Sequence, residues 1–187
     1  MSEHTEIEAQ VRAWIDRFVV GLGLCPFARQ PVEGEQVKIV VSPAHDSEAL
    51  LEELQQQLLW LDAQPPRATE TTLIVVKEML GDFLDYNDFL DLADALLINL
   101  GWDGRFQFAS FHPDYQFAGT DPDDAENYTN RAPWPILQLL REDSLETVLA
   151  SYPNPGQIPE RNIAAMNRLG STALAELLQK CREAKPK

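Results

Sequence analysis

Between Phe111 and Glu142 the chain reads FHPDYQFAGTDPDDAENYTNRAPWPILQLLRE, and the residue types that do chemistry crowd into it. His112 is a candidate general acid or base, because imidazole is the side chain that titrates near neutrality. The competing reading is a histidine that ties down a strand end through backbone hydrogen bonds. Asp124 is a second candidate for proton transfer. Asn127, Asn130 and Arg131 bring two amides and a planar guanidinium, directional donors suited to a carboxylate or phosphate. Tyr115 joins them as a substrate-binding candidate. The same Arg131, set in an acidic loop, would also serve as a salt-bridging strut. Prolines 113, 122, 133 and 135 prevent the span from being one regular helix. A polar loop held by prolines is where function tends to sit.

Cys25, in GLGLCPFA, is the candidate nucleophile. It follows a helix C-terminus, whose dipole opposes thiolate formation, so reactivity requires Arg29 or His112 to come close. Otherwise it is a buried thiol packing as a small hydrophobe. Asp121, Asp123, Asp124 and Glu126 alternate in the manner of hard-cation ligands. An EF-hand loop counted from Asp121 would need Gly at the sixth position and Glu at the twelfth, where Glu126 and Ala132 stand. No metal and no cofactor are expected. P-loop, strand-linked GxGxxG, GxSxG and HExxH patterns are missing, which removes the common nucleotide, serine-hydrolase and zincin readings.

Thirty Asp and Glu against fifteen Lys and Arg give a net charge of −15. That field repels phosphate backbones and anionic membranes, so the expected partner is a small-molecule ligand, with no nucleic acid and no membrane. The longest apolar runs, such as residues 73–76, fall far short of a membrane span, and the N-terminus is acidic. Two cysteines in such a chain fit reduced thiols and a cytoplasmic location. At 187 residues a single globular domain over 1–187 is expected.

Thr5 and Glu8 read as a capping box for a first helix ending near Gly21 or Gly23. VKIVV at 37–41 reads as a strand, and Asp46 or Ser47 as the cap of a helix bearing Leu50, Leu54, Leu58 and Leu61 on one face. A second strand follows at 72–76, a helix after Gly81-Asp82, and a third strand at 106–111. Residues 136–141 and 144–150 read as short helices, and Pro159 as the start of one final amphipathic helix. The alternation of strands and helices predicts an α/β fold: a small, mostly parallel sheet of at least three strands, the middle one at 71–77, covered by helices on both faces. The two connecting helices should share one face, and the first and last helices the other. A ferredoxin-like α+β sheet with an added antiparallel strand is the alternative.

GLGLCPFA at 21–28, FHPDYQF at 111–117, NYTNRAPWPILQLLRE at 127–142 and IPERN at 158–162 together resemble a bacterial family of uncharacterised proteins, marked by a CPFA segment and an NYTNRxPxPxxxLLRE segment. Histidine is common in that family where Gln138 stands here. The resemblance spans nearly the whole chain, implies a compact intracellular domain and assigns no reaction. It places its emphasis on Cys25, Pro26, His112, Asp124, Asn127, Asn130 and Arg131. The residues then point to a small enzyme acting on a small polar or anionic metabolite in a pocket built by the 111–142 loop. The alternatives are a non-catalytic ligand-binding or regulatory module, and a structural protein in which the loop braces the sheet edge.

Overall fold

The computed structural model describes residues 3–186. Helix α1 (Glu3–Trp14) begins two residues ahead of Thr5, so Thr5 does not open it. It continues into a π-helical stretch, Ile15–Val20. After a short α2 (Arg29–Glu33), strand β1 (Val37–Ser42) leads into α3 (Ser47–Asp62), β2 (Thr71–Val76), α4 (Phe83–Asn99) and β3 (Phe106–Phe111). Asp46 caps α3 by accepting from the Ala49 amide, and Asp82 caps α4 by accepting from Leu84 and Asp85. Beyond a 3-10 turn (Ala125–Thr129) come β4 (Ile136–Arg141), α5 (Glu142–Ser151), α6 (Ile158–Leu169) and α7 (Ser171–Arg182).

The sheet has four strands in the order β1-β2-β4-β3. β1 and β2 are parallel, whereas β4 runs antiparallel to both of its neighbours, β2 and β3. The expected mostly parallel sheet is therefore corrected, since two of the three pairings are antiparallel. Its cause is residues 136–141, which form a strand and not a short helix. β2 keeps an interior place, but β4 separates it from β3. The antiparallel strand of the alternative fold is present, yet the order β-α-β-α-β-β differs from the β-α-β-β-α-β of ferredoxin-like folds. The final helix is also corrected: Gly170, at φ 81°, breaks it into α6 and α7.

Layering follows the expected division. On one face Leu50, Leu54, Leu58 and Leu61 of α3 and Phe89, Ala93 and Leu97 of α4 pack with Ile74, Val76, Leu137 and Leu139. On the other, α1, α6 and α7 pack with Leu73, Val75 and Ile136 through Trp14, Met166 and Leu178. Tyr86 locks the far end of the β3/β4 pair, donating to Ile136 O (2.7 Å) and accepting from the Phe111 amide (3.0 Å). Burial pushes its hydroxyl pKa well up, so the bond is made by the neutral phenol.

Candidate functional site

His112 directly follows β3, and its backbone is tied to the loop: its amide donates to Asn130 O, and the Ala132 amide donates to its carbonyl. Side chains along a strand alternate between faces. Ala109 and Phe111 face the α1 side, so the His112 ring turns to the α4 side, where it lies against Phe83 and Tyr86. It is fully buried. The Asp114 amide donates to Nδ1 (3.0 Å), which leaves the proton on Nε2 to donate to Leu80 O (3.0 Å). Burial holds the imidazole below the ordinary histidine range, against the pull of the Leu80 carbonyl and the Asp114 and Asp82 carboxylates. Both ring nitrogens are thereby occupied by backbone.

Asn127 is equally enclosed. Its Oδ1 accepts from the Phe117 amide (3.0 Å) and Thr120 Oγ1 (2.8 Å), and its Nδ2 donates to Asp121 O (2.8 Å). Arg131 donates from Nε to Tyr115 O and from Nη2 to Pro122 O, while its guanidinium lies over the Tyr128 ring. Asp124 accepts from the Asp121 amide. Tyr115 packs against Phe83 and Phe117. Among the described residues no group of three or more His, Cys, Asp or Glu is placed to hold a metal ion.

A cavity of about 600 Å³ lies on the opposite, α1-facing side of the sheet, within the usual range for small-molecule sites. Strand registry builds its floor. Leu73, Gln138 and Ala109 form one row across β2, β4 and β3, with Thr71, Leu140 and Phe111 in the adjoining rows. One wall is the π-helical stretch and the CPFA segment, through Ile15, Val19, Leu24, Cys25 and Phe27; the other is α5, through Ser144, Leu145 and Val148. Of the residues singled out from sequence, Cys25 and Asn130 border this cavity, while His112, Tyr115, Asp124, Asn127 and Arg131 do not. No histidine lines it among the described residues. Burial raises the Cys25 thiol pKa, outweighing the Phe27 and Ala28 backbone that pulls it down.

Arg141, Glu70 and Asp143 are the charged residues of the lining. Arg141 Nη2 is directed at the carbonyls of Leu61, Gln64 and Thr69, which tethers β4 to the end of α3. Burial lowers its pKa, and Glu70 and Asp62 oppose that shift. Arg141 Nε and Thr129 Oγ1, both from residues of the cavity lining, are covered by protein and have no hydrogen-bond partner.

Gln36, Thr71 and Gln138 are polar lining residues to which the sequence alone gave no site role. For Gln138 the available signal was a polar residue alternating with Leu137 and Leu139, visible only once 136–141 is read as a strand.

Fold and site together define a mixed α/β protein carrying a partly enclosed cavity on the α1-facing side of its sheet. No curated protein and no solved structure matches the chain. The family described as "Protein of unknown function (DUF1415)" matches residues 6–176, and the chain belongs to it. No helix among the described residues is long and apolar enough to cross a membrane.

Proposed function

We propose that this protein binds a small molecule in the cavity over Leu73, Gln138 and Ala109, as a ligand-binding module. The observation that carries this reading is the cavity itself: about 600 Å³, walled by apolar and aromatic side chains with a few polar groups converging on it. Binding is favoured over catalysis by the state of the groups that could move protons. The His112 ring has both nitrogens engaged by backbone, and the Cys25 thiol is held in its neutral form with no histidine beside it on the lining. In this reading Cys25 and Asn130 are contact residues. His112, Asp124, Asn127 and Arg131 brace the loop that closes the β3 edge, with Tyr115 packed against the brace. Two unpaired thiols are in keeping with a cytoplasmic setting.

A thermal-shift screen of the purified chain against small organic molecules tests the proposal, repeated on Ala109→Phe, which fills the cavity floor. A ligand present at a hundred times its Kd should stabilise the protein by about 2.7 kcal/mol. The stabilisation should vanish in Ala109→Phe. Hits that stabilise both proteins equally would place binding elsewhere and defeat the reading.

A further inference from the structure

The amides around the cavity are oriented by what they touch. Asn130 Nδ2 donates to Ser110 O (3.0 Å), Asn162 Nδ2 to Leu24 O (2.8 Å) and Gln36 Nε2 to Arg67 O (3.0 Å). A carbonyl only accepts, so in each case the nitrogen end must face it. Gln138 Nε2 donates to Thr71 Oγ1 (3.0 Å), whose own proton is committed to Leu139 O (2.7 Å), so that amide is fixed in the same sense. All four residues line the cavity, and none of the four amide oxygens accepts a hydrogen bond from a described residue. Each oxygen keeps two open lone pairs, against at most one uncommitted hydrogen on its nitrogen.

Several donors of the lining are used or covered, the Gln30 amide and the Ser144 hydroxyl being exceptions. The Trp14 indole N–H donates to Arg131 O, the Thr71 hydroxyl to Leu139 O, and Arg141 Nη2 to three carbonyls. Arg141 Nε and Thr129 Oγ1 are sealed from solvent. Arg141 is the sole Lys or Arg on the described lining, which also carries the acidic residues Glu70 and Asp143. The whole chain carries −15. A carboxylate or phosphate would meet acceptors, an acidic rim and a repelling field.

Resting on the cavity reading above, we propose that the ligand is a cationic, amine-bearing molecule with an apolar, aromatic-sized body. Its N–H groups would bond the amide oxygens of Gln138 and Asn130, and its body would lie among Trp14, Phe27 and Phe111. Aromatic faces add favourable contact with a cation.

A matched series with one body and three heads tests this by isothermal titration calorimetry on the full chain at neutral pH: naphthylmethylamine, methylnaphthalene and naphthylacetate. The amine should bind at least tenfold tighter than the carboxylate, with the hydrocarbon between them. Gln138→Leu should shrink the gap between amine and hydrocarbon, and Gln138→Glu should widen it, so the two variants check each other should one fold poorly. Naphthylacetate binding as tightly as the amine, with the site still blocked by Ala109→Phe, would overturn the ligand class and leave the cavity reading intact. An amine preference unchanged in both Gln138 variants would overturn the role given to the amides. Failure of all three probes to bind at millimolar concentration would bring down both proposals together.

Discussion

Two regions of the molecule gather polar side chains, and they use them in opposite ways. In the proline-rich loop, His112 and Asn127 are fully buried and every polar atom they carry is bonded to protein, mostly to backbone. Around the cavity, Gln36, Asn130, Gln138 and Asn162 anchor by the nitrogen and leave the oxygen unengaged. A loop with four prolines has few regular backbone pairs of its own, so side chains must complete its hydrogen bonding. The cavity floor is already paired strand to strand, which frees its side chains for something else. Dense polar sequence therefore marks a scaffold where the bonding is closed, and a binding surface where it is left open.

The contrast can be broken most forcefully at Asn127. Asn127→Ala takes away the partners of the Phe117 amide and the Asp121 carbonyl, leaves the Thr120 hydroxyl only its bond to Phe117 O, and should destabilise the protein by about 3 kcal/mol. Urea denaturation measures this; a loss below about 1 kcal/mol would show that the loop is not held by closed bonding. His112→Phe leaves the Leu80 carbonyl and the Asp114 amide without partners, and about 2 kcal/mol should be lost. The same histidine imposes a pH dependence. Its folded pKa lies below the ordinary value of about 6.5, so between the two the unfolded chain binds more protons. The His112 contribution is complete above that ordinary value and is lost as pH falls beneath it. Wild-type stability should decline over that window and the decline should flatten in His112→Phe; parallel curves would mean that other groups set the slope. The smallest effect belongs to the cavity. Gln138→Leu removes a single bond to Thr71 and should shift stability by less than about 1 kcal/mol. A loss as large as that of Asn127→Ala would mean that the cavity amides are structural too.

Much of this arrangement was legible locally. The leucine stripe of α3, the Asp82 cap of α4 and the apolar run of β2 report their own structure, and the face-sharing of the two connecting helices followed from strand-helix alternation. Residues 136–141 did not report theirs. ILQLLR satisfies helical spacing as well as strand alternation, and periodicity cannot separate a short buried strand from a short helix. What decides is pairing with β2 and β3, made by residues far away in the chain. The consequence spreads: taken as a helix, residues 136–141 give Gln138 no sheet face, the sheet lacks its antiparallel member, and most of the functional weight falls on the loop. His112 was placed correctly at the end of β3, but the face its ring takes depends on strand parity, which the sequence reading did not apply.

The position of β4 also sets an order of assembly. Val75 meets Ile136 and Phe111 meets Ile136 from the other side, so the last strand to be synthesised fills the slot between two earlier ones. A nascent chain that has emerged only as far as β3 holds two strands whose facing edges have no partner, and unpaired edges invite association with other chains. Closure waits for residue 141, and the long separation of the pairing residues makes that step slow compared with the helices around it.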